Sequence, residues 1–353
     1  MERWPWVRFA RRLGVWGACK ARPRLFVGLG ALVWLILSPS LAQKPQVVIG
    51  TGGVGGVYFY YGTAVAEILS KAGVVQAQAI QSGGSIENLM LLRDRTDPAR
   101  GLYYCGTVLP DAALMAFSGE ERFQGKPVPV RILFTMYPNY FHVVTTEESG
   151  IRVLQDLRGK RVSTEVPGGI IEYEARILMS AAIPGFDPKV HFGKWERVRV
   201  AESASLLAEG NLDAFFWSGG LPTGSILELA GGLARRGKRL YLVPLPPEST
   251  PVQVLRRRFP GVVDTGVIPK GVYNTRYDTP TLTFWNVFVC PASLPEEVAY
   301  AMVKALFENL PALHAAVAPA RDTTLDNAVR SRGGKVPYHP GAVRYFQEKG
   351  VWR

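Results

Sequence analysis

The sequence predicts an α/β protein of two similar lobes facing a cleft, on three observations. Short β-branched runs alternate with helical patterns along residues 43–353. About 310 residues follow an N-terminal leader, enough for two lobes of ordinary size. One unit also occurs twice, as a helix, a polar turn and an aromatic strand. Ser85–Leu92 leads to Leu102-Tyr103-Tyr104, and Ser203–Ala208 leads through Glu209–Asp213 to Ala214-Phe215-Phe216-Trp217. Two such halves facing each other leave a cleft, where small ligands are commonly held.

The chain opens with a leader. Residues 1–24 carry seven Arg and Lys against one acid, Glu2, and an apolar run follows from Leu25 to Leu37. Small residues at Ser40 and Ala42 complete the pattern of a cleavable signal peptide, with the cut expected after Ala42 and a periplasmic or otherwise extracytoplasmic mature protein. The apolar run is shorter than the roughly 20 residues of a membrane span, so no direct membrane insertion is expected after cleavage. The pattern does not decide between the two export routes, general secretory or twin-arginine.

Strands are expected at Val47–Gly50, Gln76–Ile80, Leu102–Cys105, Arg131–Met136, Phe141–Thr145, Arg161–Ser163, Ala214–Trp217, Tyr241–Pro244 and Thr281–Cys290. Helices are expected at Tyr58–Ala72, Ser85–Arg93, Asp111–Phe117, Ile171–Ala182, Ala201–Glu209, Thr223–Gly231, Val252–Phe259, Pro295–Leu310 and Ala312–Ala318. Four prolines between Val243 and Pro251 fix φ and remove donors, which makes that stretch a stiff connection.

Charge excludes one class of partner. The chain has a net charge of +12, of which the basic leader supplies half. In the remainder acids and bases are interspersed with no long basic stripe, so nucleic-acid binding is not expected. Cys105 and Cys290 sit in apolar runs, where buried thiols are the default reading. A disulfide is open to them in an oxidising compartment, but spacing alone cannot bring the two sulfurs together.

The chemistry concentrates in glycines. Gly50-Thr51-Gly52-Gly53-Val54-Gly55 follows a strand and opens a helix, satisfying G-x-G-x-x-G. A dinucleotide site would place an acid after the second strand; Gln81-Ser82-Gly83-Gly84 stands there instead, so no nucleotide cofactor is expected. What remains is a place where backbone approaches a ligand and free N–H groups at a helix start attract an anion. Gln81–Ser85 repeats the device, with Ser85 a plausible N-cap. No metal site is expected: His142, His191, His314 and His339 have no ligand spacing among themselves or with cysteine. No G-x-S-x-G elbow occurs, and no catalytic residue is assigned.

Taken in order, these stretches resemble the TAXI family of TRAP-transporter solute receptors. The marks are Ile49-Gly50-Thr51-Gly52-Gly53 with Gly56-Val57-Tyr58, then Ser82 to Leu89, then Tyr137-Pro138. Gly150-Ile151, Asp156-Leu157-Arg158-Gly159-Lys160, Asp213 to Phe216 and His339-Pro340-Gly341-Ala342 complete the set. The resemblance implies a two-lobed, type II periplasmic-binding-protein-like fold with the ligand cleft between lobes. It implies lobe one at 43–143 plus 265–353 and lobe two at 144–264. It also implies capture of a small organic anion, glutamate or a related carboxylate, for TRAP membrane permease subunits.

The residues expected to bind ligand are Thr51, Gly52, Gly53, Val54, Tyr58, Ser82, Gly84, Ser85, Asp111, Tyr137, Gly168, Gly169, Ile170 and Trp217. Among them the N–H groups of Gly168 and Gly169 are expected to donate from lobe two, and Tyr58, Tyr137 and Trp217 to supply flat walls. The chain departs from the family at Gly53-Val54-Gly55, at Gly168–Glu172 and at Leu109-Pro110, where hydroxyl or amide side chains are usual. Those losses predict a carboxylate ligand with a more apolar body than glutamate. An extracytoplasmic sensor on the same fold is the alternative function, and an enzyme the third.

Overall fold

The computed structural model describes residues 44–353, and the leader with its expected cut after Ala42 lies outside them. The first array runs β1 (Gln46–Gly50), α1 (Val57–Lys71), β2 (Gln76–Ile80), α2 (Ser85–Arg95), β3 (Leu102–Val108) and α3 (Pro110–Ser118). β2 and β3 flank β1, both parallel to it. A long strand, β4 (Val130–Thr146), leads to the second array. That array runs β5 (Arg161–Ser163), α4 (Ile171–Ala182), α5 (Pro188–His191), β6 (Lys194–Glu196), α6 (Val200–Ala208), β7 (Ala214–Gly219) and α7 (Gly224–Arg235). β6 and β7 flank β5, again parallel. The same strand order therefore recurs, and the helix–turn–aromatic-strand unit seen twice in the sequence is α2–β3 in one array and α6–β7 in the other.

The chain returns through β8 (Leu240–Leu242), α8 (Thr250–Arg258), β9 (Val263–Ile268) and β10 (Thr279–Pro291). It ends in α9 (Glu296–Phe307), α10 (Leu310–Ala316), α11 (Leu325–Ala328) and α12 (Pro340–Glu348). The strands form one sheet in the order β2-β1-β3-β10-β4-β7-β5-β6, with β8 on β4 and β9 on β10. β4 and β10 run antiparallel through both arrays. The first half of β4 pairs with β10 and its second half with β7 and β8. β10 starts against β9 and ends between β4 and β3. Both long strands are buried on both faces, which is why they read as nearly unbroken apolar runs. Phe134 of β4 stacks on Phe288 of β10, ring centroids 5.0 Å apart.

The structure corrects several expectations. Arg131–Met136 and Phe141–Thr145 are one strand, because Pro138 sits opposite Trp285 beside a bulge in β4 itself, where a missing N–H breaks no regular ladder. β6 and β9 were not expected, being short or interrupted by Asp and Gly. α12 was read only as a motif. His339 is its N-cap, with Nδ1 accepting the Gly341 N–H at 3.3 Å and Nε2 lying 2.9 Å from the Leu294 carbonyl. Gly84, not Ser85, caps α2; the Ser85 hydroxyl instead accepts the Leu109 N–H at 3.0 Å and ties α2 to the end of β3. Cys105 and Cys290 are joined in a disulfide across the adjacent strands β3 and β10, so the thiol default gives way.

Candidate functional site

The carboxyl ends of β1, β2 and β3 converge on Asn88, one turn into α2. Its Nδ2 donates to the carbonyls of Thr51 at 2.7 Å and Thr107 at 2.9 Å, and its Oδ1 accepts the Ser82 hydroxyl at 2.6 Å. A Cβ on Gly50 would stand 2.3 Å from Asn88 Oδ1, so the first glycine of the run makes room for this hub. Thr51 closes the same knot by donating to Ile80 O at 2.7 Å. The knot holds the two glycine loops, 50–56 and 82–85, side by side at the cleft.

Across the cleft, the second array presents side chains. Glu165, held at φ +69°, takes the N–H groups of Val166 at 2.7 Å and Val200 at 2.9 Å. Val200 is the first residue of α6, so this buried carboxylate satisfies an orphan donor at the helix start. Burial raises its pKa, against the two N–H bonds and the Arg199 guanidinium, which lower it. Arg199, the N-cap residue of α6, is thereby placed to cross the cleft. Its Nη1 donates to Ser82 O at 2.8 Å and lies 3.0 Å from where a Cβ on Gly53 would stand. A second crossing is made by backbone, the Glu87 N–H donating to Gly168 O at 3.0 Å. Gly83 and Gly168 pack directly there, and a Cβ on Gly83 would sit 2.9 Å from the Gly168 Cα.

These contacts enclose a cavity of about 40 Å³. Of the expected residues, Gly52, Gly53, Tyr58, Gly84, Ser85, Tyr137, Gly169, Ile170 and Trp217 line it. The Gly52 and Gly53 N–H groups have no acceptor among the described residues. Tyr58 Oη donates to Asn286 Oδ1 at 2.5 Å, and Asn286 Nδ2 donates to Tyr137 O at 3.0 Å, which fixes both aromatics against β10. Trp217 is held by Nε1 donating to Thr223 Oγ1 at 3.0 Å and closes over Gly56.

Thr51, Val54, Ser82, Asp111 and Gly168 lie outside the cavity. Thr51 and Ser82 are consumed by the knot at Asn88. Val54 is half exposed, and Gly168 serves the backbone crossing. Asp111 is fully buried beside Glu174 of α4. The N–H groups of Gly168 and Gly169 both turn back to Val166 O, at 2.9 and 3.2 Å, and so are not ligand donors as expected.

Sequence reasoning missed the polar lining. Arg199, Glu165, Asn139 and Ser218 all face the cavity. Asn139 Nδ2 donates to Ser218 Oγ at 2.8 Å, while Asn139 Oδ1 and the Tyr137 hydroxyl are buried with no partner among the described residues. An unpaired buried polar group costs about 1–3 kcal/mol. The cavity takes its polar groups from β4, β7, the loop after β5 and the residue before α6. No motif announces them. An acid just past β5 and an arginine just before α6 were the available signals.

The described residues contain no group of three or more His, Cys, Asp or Glu able to hold a metal ion, and no helix long and apolar enough to cross a membrane. The model of one family, described as NMT1-like, matches residues 49–350. The chain belongs to the NMT1-like family. This NMT1-like protein is also similar to the binding protein component of an ABC phosphonate transporter from Pseudomonas aeruginosa. The two are 12% identical with a TM-score of 0.52, over 80% of this chain and 81% of that one. Further similar structures are MatC from Rhodopseudomonas palustris with bound malate (14% identical, TM-score 0.49, 88% and 98% covered) and the aliphatic sulphonate binding protein SsuA from Escherichia coli (11%, 0.41, 87% and 84%). The NMT1-like chain shares the two-lobed α/β fold of the phosphonate-transporter binding protein.

Proposed function

We propose that the protein is an extracytoplasmic solute receptor that captures a small organic carboxylate and delivers it to a TRAP-type membrane permease, as the TAXI-like motifs imply. The observation that carries this reading is Arg199. It is a cation lining a small cavity, facing unpaired N–H groups of Gly52 and Gly53 in the loop that leads into α1. Such an arrangement suits a compact anion. Lobe one would comprise 43–143 with 265–353 and lobe two 144–264, hinging on β4 and β10, with the Arg199–Ser82 and Glu87–Gly168 contacts made on closure. Leu109, Ile170, Ile171 and Trp217 give the ligand body apolar walls, and the unpaired Tyr137 hydroxyl and Asn139 amide favour one polar group on that body. A receptor needs no reacting groups, and this reading gives the protein no enzymatic step and no cofactor.

A thermal-shift screen against L-glutamate, malate, aromatic carboxylates and alkylphosphonates tests the reading. A ligand at a hundred times its Kd stabilises the native state by about 2.7 kcal/mol. The corresponding rise in melting temperature is about 4 °C for a protein of this size. The expected result is a shift with one or more carboxylates. A larger shift with phosphonates would replace the ligand class, and no shift with any anion would sink the receptor assignment.

A further inference from the structure

Two carboxylic acids, both fully buried, meet beside the cavity: Asp111 in the first turn of α3 and Glu174 in the first turn of α4. α3 follows the last strand of the first array and α4 the first strand of the second. The pair therefore exists only while the two arrays are together. Asp111 Oδ1 accepts the Ala112 N–H at 2.9 Å, but Asp111 Oδ2 and both Glu174 oxygens have no partner among the described residues. The charged and titratable groups facing them are few. Tyr58 of α1 lies near both acids. Arg258 of α8 acts on Asp111 at longer range, with its Nη2 donating to Glu120 at 2.6 Å and its Nε lying 3.3 Å from Tyr173 Oη. No third acid, His or Cys joins them in a metal-binding group among the described residues.

Two neighbouring carboxylates without a cation between them cannot both stay ionised in a buried site. One proton resolves the conflict, because a carboxylic acid can donate to a carboxylate and satisfy oxygens that are otherwise orphaned. We propose that Asp111 and Glu174 share a proton in the closed cleft, and that closure takes this proton up from solvent. The inference rests on the two-lobed closure of the proposed receptor, but not on which solute is bound.

The sign follows from the environment. Burial pushes Asp111 up to about 6, and burial together with the Asp111 charge pushes Glu174 well above the ordinary carboxylate range. Acids exposed in an open cleft would titrate near 4. Closure is then fully favoured below the open-state values and is lost as pH rises through the closed-state values. Uptake of one proton changes the closing equilibrium by up to about tenfold per pH unit within that window.

Two readouts on the purified protein without added solute test this. Small-angle X-ray scattering reads closure, and infrared difference spectroscopy reads the C=O stretch of a protonated carboxylic acid. Between about pH 5 and pH 8, on either side of the Asp111 value of about 6, the wild type is expected to expand and to lose that band. Glu174→Gln, whose amide can donate to Asp111 without titrating, should stay compact at both and lack the pH-dependent band; Asp111→Asn should behave alike. A wild type unchanged in both readouts, or a Glu174→Gln variant with the wild-type profile, overturns the proposal. Compaction of the wild type at the higher pH by calcium chloride, absent in Glu174→Gln, would assign the pair to a cation and overturn it too. If no solute shifts the melting temperature, the receptor reading fails while this measurement still decides the proton.

Discussion

The two arrays share a strand order and give the cleft different things. From the first come glycines and bare N–H groups, in loops 50–56 and 82–85, held in place by Asn88. From the second come side chains, Arg199 on α6, Glu165 behind it and Trp217 on β7. Backbone cannot swing, so the first side sets distance; a guanidinium on a helix start can carry charge across the gap and mark closure. The arrays are also stabilised differently. The first is stapled by Cys105–Cys290, while the second leans on the Arg161–Asp213 pair.

The largest expected effect comes from breaking the glycine side. Gly83→Val would place atoms where only 2.9 Å separates a Cβ from the Gly168 Cα, and backbone cannot yield there without parting the arrays. Gly83 is not among the glycines of positive φ, so the loop itself tolerates the residue. Binding of the best carboxylate from the thermal-shift screen should vanish in calorimetric titration while the unliganded melting temperature holds. Retained affinity would mean that the loops need not touch.

Next comes the staple. The disulfide closes a loop of 185 residues, and its loss should cost about 2–5 kcal/mol. The double variant Cys105→Ser/Cys290→Ser, unfolded in urea, is expected to show that loss. An unchanged midpoint would make the bridge incidental.

His142, on β4 opposite Trp217 of β7, gives the sheet between the arrays a pH sensitivity. Burial lowers its pKa to about 4, and its Nδ1 has no partner among the described residues. The folded value is below the unfolded one, so the stability is present above about 6.5 and is lost as pH falls toward 4. The loss should reach about 3 kcal/mol. His142→Gln should flatten that acid limb of the melting curve. If the limb persists, another group carries it. The trend opposes that of the Asp111–Glu174 pair, so closing and folding should respond to acid with opposite signs.

Arg199→Ala should weaken carboxylate binding by about 10- to 150-fold, the range for a charged hydrogen bond of about 1.5–3 kcal/mol. Arg199→Lys should recover part of it. Equal affinity in wild type and Arg199→Ala would confine the arginine to holding the loops and send the anion to Gly52 and Gly53.

The contrast between the arrays also explains what was legible in the sequence. Glycine runs between a strand and a helix restrict conformation locally, so the first array's loops stand out from residue order alone. So does the α2–β3 and α6–β7 repeat, because runs of adjacent aromatics after a helix and a polar turn leave a local pattern. Arg199 and Glu165 leave none. An arginine before a helix and an acid after a short strand are common, and only the tertiary placement of α6 makes them face the cavity. Asp111 failed for the complementary reason: its position next to the expected loop was right, but its side chain turns to Glu174 instead. The cysteines needed β10 to return between β3 and β4, a topology that spacing does not encode.

The smallest effect concerns Asp213, the first residue of the family-like Asp-Ala-Phe-Phe stretch. Its carboxylate accepts the Arg161 N–H at 2.8 Å and the Arg161 guanidinium at 2.6 and 3.1 Å, joining β5 to β7 at the end of the second array. The first array makes the corresponding join with backbone alone, through the Gln46 N–H and Gly101 O at 2.8 Å. Both partners of the ion pair are partly exposed, so the pair is worth little beyond its geometry, about 1 kcal/mol or less. Asp213→Asn should therefore lower stability by about that amount in urea and leave carboxylate affinity as it was. A loss of affinity without a loss of stability would mean that the β5–β7 edge sets the position of Arg199, and that the second array reads its ligand through its sheet as well as through its helix.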